Sequence, residues 1–197
     1  MKNHRISLLA ILAAVAIAGL FFIKNFSENH PPAMFFVNDK FMQVIENDSL
    51  YHIGVAQQGT LGLIEAKKNS SILIGDIDQG TEIHVLANGK FDLKVLEINN
   101  GSKIHVYLAS DSPNLTNMSL QKVGNGSHIH IYCPTQITQS KIESSDQIVK
   151  YDLQVNGKKI GRAELYEGNN TLELHNISSD KIQNLFKQQK LALEQKY

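Results

Sequence analysis

Three histidines fall at the same place in three similar stretches of this chain. His84 lies in Glu82-Ile-His-Val-Leu86, His105 in Lys103-Ile-His-Val-Tyr107 and His130 in His128-Ile-His-Ile-Tyr132. Neutral imidazoles ligate Zn²⁺, Cu²⁺ and Ni²⁺. If the stretches stack as adjacent strands, equivalent residues stand about 4.8 Å apart. The rings would then form an outward ladder able to hold a divalent transition metal, and Glu82, on the same face, would add a carboxylate. The plainer reading is a polar residue tolerated on a solvated strand face, because a flat ladder offers parallel rather than convergent donors. Stacked imidazoles would also resist joint protonation and give the face a pH-dependent charge.

Other chemistry is thinner. Asp76 and Asp78 flank Ile77 and could act as paired carboxylates, but they precede a glycine and do not recur in the other stretches, although Glu97 falls close by in the second. Turn-forming aspartates explain them. The chain has no Gly-x-Ser-x-Gly, no His-Glu-x-x-His and no phosphate-cradling loop. The expectation is therefore a protein that is not an enzyme. Cys133 is the single cysteine, so no intrachain disulfide forms, and its apolar neighbours make it a small core residue. Asn-x-Ser/Thr triplets at Asn69, Asn100, Asn114, Asn117, Asn125 and Asn176 follow from an Asn- and Ser-rich composition.

The elements that must position the histidines are legible as three rows. They run from Ile72 to Leu86, Leu93 to Tyr107 and Met118 to Tyr132, and align without a gap. Gly80, Gly101 and Gly126 share one column, followed by Thr81, Ser102 and Ser127. Ile74, Val95 and Leu120 share another, as do Ile77, Ile98 and Val123, and Ile83, Ile104 and Ile129. Row starts are separated by about 21 and then about 25 residues, a spacing typical of stacking repeats. The extra residues fit a loop at Ser110-Asp-Ser-Pro-Asn114. Within a row, apolar and polar residues alternate with the strand period. Each row reads as strand, tight glycine turn, strand, the glycine taking positive φ. One row cannot bury its apolar face alone, but a stack closes a continuous core. The predicted fold is all-β, a short parallel β-solenoid. An antiparallel β-sandwich is the alternative, since its strands also alternate and end at Gly and Asn.

The 197 residues carry 19 basic and 19 acidic side chains and no net charge. With no basic stripe, nucleic acid is not an expected partner. Lys2 and Arg5 precede an apolar run, Ile6 to Ile23, nearly long enough to span a bilayer. Residues 1–24 are thus expected to be a single-pass membrane anchor, with the rest exported across the inner membrane. The alternative is a signal peptide cleaved after Ala18, leaving a secreted or periplasmic protein. Residues 25–40 read as a linker and 41–178 as the solenoid domain. The first strands, around Phe41 to Leu63, fit the row template poorly and are expected to be an irregular edge. Beyond Cys133, Pro134 to Ser145 is poorly patterned. Asn156-Gly157 is a hairpin signal, and the region after it reads as degenerate rows or an antiparallel cap. Residues 179–197 show apolar residues at helical spacing behind Ser179 and Asp180, predicting an amphipathic helix that covers an open end of the β-structure.

The rows Gly80-Thr81, Gly101-Ser102 and Gly126-Ser127, behind an N-terminal export signal, resemble the auto-transporter adhesin head GIN domain family over about residues 41–177. The resemblance implies a β-solenoid at the cell envelope and supplies no catalytic residues. The expected function is a non-catalytic envelope module for surface binding, adhesion or scaffolding, contacting a protein or glycan. Its expected binding surface is the outward row face: Glu82, His84, Lys103, His105, Tyr107, His128, His130 and Tyr132. The alternatives are a metal-binding envelope protein using His84, His105 and His130, and a carbohydrate-active β-helix enzyme.

Overall fold

The computed structural model describes residues 34–37, 39–110, 116–145, 147–166 and 168–195. The chain coils into a parallel β-solenoid with two sheets. Sheet A is built from β1 (Met34–Val37), β3 (Leu50–Ala56), β5 (Ser70–Ile77), β7 (Phe91–Ile98), β9 (Thr116–Val123) and β13 (Lys158–Tyr166), stacked in that order. Sheet B stacks β2 (Lys40–Ile45), β4 (Leu61–Ala66), β6 (Glu82–Ala87), β8 (Lys103–Leu108), β10 (His128–Cys133) and β14 (Thr171–Asn176). Every neighbour in these two series is parallel. The expected sandwich alternative is thereby set aside, because a sandwich joins antiparallel neighbours.

The aliphatic columns become ladders. Ile53, Ile74, Val95, Leu120 and Ala163 pair in turn across sheet A. Ile83, Ile104, Ile129 and Leu172 do so across sheet B. These ladders face one another in a single core, where Cys133 is fully buried among them. Each buried Ile or Leu side chain contributes about 1.5–3 kcal/mol of transfer free energy. The rows are also tied by hydroxyls. Thr81 Oγ1 donates to the Gln57 carbonyl at 2.7 Å, Ser102 Oγ to that of Asp78 at 2.7 Å and Ser127 Oγ to that of Asn99 at 2.9 Å. Each bond reaches back to the turn of the previous row, and all three residues are fully buried. The preceding glycines, Gly80, Gly101 and Gly126, hold φ near +70°, which frees the turn to repeat in register.

Four expectations are corrected by this arrangement. The first strands are not an irregular edge: β2, β4 and β6 pair residue for residue, Lys40 with Leu61 and Leu61 with Glu82. Their turn, Gln57-Gln-Gly-Thr60, is another copy of the row turn, with Gly59 at φ +76°. The pattern is obscured by Gly62, where a Cβ would run into the Phe41 ring and Ile83. The glycine makes room for an aromatic ring where other rows carry an aliphatic side chain. The poorly patterned stretch after Cys133 is also a strand, β11 (Ile137–Ser144). With β12 (Ile148–Val155) and β13 it forms an antiparallel meander that extends sheet A. The meander interrupts the last row. The chain leaves β10, makes β11 and β12, and resumes the solenoid with β13 and β14.

The third correction concerns the helix. Helix α1 (Ser179–Glu194) forms at the expected place, with Ile182 donating its N–H to the Ser178 carbonyl. It does not close an end of the stack. Ile182, Phe186 and Leu193 pack on Leu63, Leu86, Tyr107 and Ala109, forming a second apolar cluster on the outer face of sheet B. The apolar patch on that face draws the helix there, because Leu63 and Leu86 would otherwise meet water.

The fourth concerns the membrane. Among the described residues no helix is long and apolar enough to cross a bilayer. α1 has 16 residues and one polar side, so it falls short of the roughly 20 apolar residues a span requires. The single-pass anchor, the membrane as a partner and the inner-membrane placement are therefore not sustained. The run Ile6 to Ile23 on which they rested lies outside the described residues, as does most of the loop expected at 110–114.

Candidate functional site

The outer face of sheet B carries three columns, set by the strand period and the unbroken register. The first reads Lys40, Leu61, Glu82, Lys103, His128, Thr171; the second Met42, Leu63, His84, His105, His130, Glu173; the third Val44, Glu65, Leu86, Tyr107, Tyr132, His175. The histidine column is a true stack. His84 and His105 have centroids 4.4 Å apart with planes 7° from parallel, and His105 and His130 follow at 4.7 Å and 6°. Beside it Tyr107, Tyr132 and His175 stack at 4.7 Å and 4.6 Å. The Phe186 ring of α1 meets Tyr107 edge-on at 5.6 Å.

Two groups of donors converge on this face: Glu82 with His84 and His105, and His130 with Glu173 and His175. In the first, Glu82 Oε1 lies 3.0 Å from His84 Nε2 and 3.3 Å from His105 Nε2. The contact to His84 is an aligned hydrogen bond. That to His105 is close but unaligned, and neither ring nitrogen of His105, both buried, has a hydrogen-bond partner. Buried imidazole nitrogens are seldom left so. In the second group Glu173 Oε2 lies 3.3 Å from His130 Nδ1 and 3.5 Å from His175 Nε2, and the two nitrogens are 3.3 Å apart. Bonds of about 2.0–2.1 Å to a tetrahedral ion place its donors roughly 3.3 Å from each other. The second triangle thus already has the edges of a tetrahedral face, and the first matches on the two edges that meet at Glu82.

The electrostatics suit a cation. Contacts with His105 and His84 hold the Glu82 carboxyl well below the usual carboxylate range, so it is ionised. Burial pushes the His84 imidazole down from its ordinary value, and with the neighbouring His105 it outweighs the opposing pull of Glu82. Burial, and then the neighbouring His105, do the same to His130. Both rings are therefore neutral at pH 7, the form that binds metal. Burial raises the Tyr107 hydroxyl far above its ordinary pKa, so it stays protonated.

The eight residues expected to form one outward surface are divided. Glu82, His84 and His105 share one triad, while His130 belongs to the other. The three histidines expected to act as one set of ligands are therefore divided between two donor groups. Nor is the face uniformly outward: His84 is only 1% exposed and Tyr107 only 2%. Lys103 Nζ sits 4.0 Å from Glu82 Oε2, and His128 Nδ1 bonds Thr171 Oγ1 at 2.7 Å, so neither joins a triad. Tyr132 stacks between Tyr107 and His175.

Sequence reasoning passed over Glu173 and His175. The signal was present: Thr171-Leu-Glu-Leu-His175 alternates as His128-Ile-His-Ile-Tyr132 does, behind Gly168-Asn-Asn170. The inserted meander places it 43 residues after its partner, beyond the spacing of the other rows. Of the two aspartates, Asp76 lies on sheet A, where it pairs with Glu97, and Asp78 lies in the turn that follows β5. Burial, Glu97 and Asp78 raise the Asp76 carboxyl, and Lys122 reaches Glu97 at 3.4 Å. A groove of 810 Å³ between α1 and sheet B, beside Leu86, Phe186, Lys187 and Lys190, includes neither triad.

Comparison with protein-family models, with curated proteins and with solved structures finds no match for this chain.

Proposed function

We propose that this β-solenoid is a binding module for divalent transition-metal ions, held at two His/Glu triads on the outer face of sheet B. The carrying observation is the donor spacing: two histidine nitrogens and a carboxylate oxygen 3.3–3.5 Å apart in the triad of His130, Glu173 and His175. Two nitrogens and one oxygen favour Zn²⁺, Cu²⁺ or Ni²⁺ over Ca²⁺ or Mg²⁺, which take oxygen donors. Glu82 is ionised and His84 and His130 are neutral without any metal, so at these ligands binding meets little competition from protons near pH 7. Each triad supplies three protein donors and leaves a further coordination position to solvent or to another ligand.

Adhesion to a protein or glycan through the same face is the weaker reading. Its proposed surface is interrupted by α1, which covers Leu63, Leu86 and Tyr107. The metal reading does not need a continuous surface.

The test is calorimetric titration of the full chain with Zn²⁺, Cu²⁺ and Ni²⁺. Two variants accompany it, Glu82→Gln/His105→Ala and Glu173→Gln/His175→Ala. The expected result is two equivalents bound at micromolar or tighter affinity, with each variant losing one. Absence of such binding for all three metals, or binding that both variants retain, would sink the proposal.

A further inference from the structure

His84 is the one triad histidine whose two ring nitrogens both have aligned partners on opposite sides. Nε2 faces Glu82 Oε1 at 3.0 Å, and Nδ1 faces the Tyr107 hydroxyl at 3.0 Å. Glu82 belongs to the same strand, two residues before His84. Tyr107 reaches across diagonally from the next strand and the next column. The ring has almost no contact with solvent, so these two partners decide its tautomer.

An ionised carboxylate only accepts hydrogen bonds. Nε2 must therefore carry the proton and donate it to Glu82. Nδ1 is then the acceptor, and the Tyr107 O–H donates to it. In this state Nε2 has no lone pair to give. A metal entering between Glu82, His84 and His105 requires the other tautomer, with the proton on Nδ1. One proton leaves Nε2 and one arrives at Nδ1, by exchange with solvent, and the ring stays neutral. Nδ1–H must then find an acceptor, and the atom in place is the Tyr107 oxygen.

We propose that Tyr107 is the positioning residue of the Glu82–His84–His105 site, its hydroxyl serving both tautomers of His84 and so making Nε2 available to the metal. The inference rests on the metal-binding reading above. A hydroxyl suits the task because it donates and accepts by turning its own proton. A carbonyl would lock one tautomer and an ammonium the other. The tyrosine oxygen is held in place by its ring, which lies flat on Tyr132 and is met edge-on by Phe186 of α1. Helix α1 thus packs, through Phe186, against the ring that carries the hydroxyl. The other triad carries no such hydroxyl bond to its ring nitrogens among the described residues, and it serves as an internal control.

The experiment compares the full chain with its Tyr107→Phe variant, which keeps the stacked ring and removes the oxygen. Long-range ¹H–¹⁵N spectra of the metal-free protein read the His84 tautomer directly. Zn²⁺ titrations, repeated in a Glu173→Gln/His175→Ala background, read the first site alone. Wild-type His84 should carry its proton on Nε2 without metal and on Nδ1 with Zn²⁺. Tyr107→Phe should weaken the first site by at least about 10-fold, the size of effect seen when a ligand histidine loses its outer partner. The second site should change little, and the metal-free protein should melt a few degrees lower at most, because the buried His84 Nδ1 loses its donor. Undiminished affinity of the first site in the variant, or a proton on Nδ1 in the metal-free wild type, would overturn this inference alone. Failure of the wild type to bind Zn²⁺ at all would overturn the metal reading itself and the inference with it.

Discussion

The His105 ring lies flat on the His130 ring, with centroids 4.7 Å apart and planes 6° from parallel. This contact joins the two donor triads, since His105 belongs to one and His130 to the other. The triads occupy strands β6–β8 and β10–β14, so their centres are about two rungs, on the order of 10 Å, apart. They also lie on opposite flanks of the stack. The first opens toward the Glu82 column and the second toward the Tyr132 and His175 column.

Two dications at that separation repel each other. Each triad includes one carboxylate, which leaves a net charge near +1 at either site. At an effective dielectric near 20 the repulsion is about 1.5 kcal/mol, or roughly a tenfold loss for the second ion. The expected result is two-step binding of Zn²⁺ in which the second equivalent is weaker than that site measured alone. The gap should narrow as salt is raised from 0.05 to 0.5 M. Calorimetry of the wild type and of the two single-site variants measures it, and additive, salt-independent affinities would refute the coupling.

The metal-free protein should lose stability on mild acidification. The imidazoles of His84 and His130 have pKa values below the ordinary 6.5 in the folded state. In the unfolded chain they protonate as the pH falls through about 6.5, whereas in the fold they resist. The unfolded state then binds more protons, so stability is full above about pH 6.5 and declines below it. Glu82, lowered from 4.5, adds a second loss as the pH falls below 4.5. Melting temperatures taken with chelator from pH 8 to pH 4 should fall in these two stages, by about 2–4 °C per kcal/mol. His130→Gln should flatten the first stage, and an unchanged profile in that variant would count against the assignment.

Helix α1 is expected to be a cover rather than a foundation. Its anchor Phe186 is 5% exposed and packs on the outer cluster, apart from the solenoid core. Phe186→Ala should cost about 3 kcal/mol locally and expose Leu63, Leu86 and Tyr107. Far-ultraviolet circular dichroism should retain the strand signal while a hydrophobic dye gains fluorescence. Collapse of the strand signal in this variant would show that the rows depend on the helix.

The amino-acid sequence by itself determined the row. Alternation along Ile83, Val85 and Ala87, a glycine before Thr81, Ser102 and Ser127, and aliphatic columns in register are local properties of short segments. They report strand, turn and stacking partner before any coordinates, and the histidine column follows from the same register. What neighbours do to one another was decided only by the tertiary structure. Gly62 reads as a break in the pattern until Phe41 is seen to fill its place. The stretch Thr171 to Asn176 is a row like the others, but a meander separates it from β10, so Glu173 and His175 meet His130 only once the chain has returned. Lateral contacts across the face escape a column-by-column reading as well. Glu82 turns toward two imidazoles and Tyr107 reaches diagonally to His84, because side chains on a pleated sheet touch diagonal neighbours as well as those directly opposite. The position of α1 is the last such case. Its periodicity shows that one side is apolar, and only the assembled sheet shows which apolar patch remains to receive it.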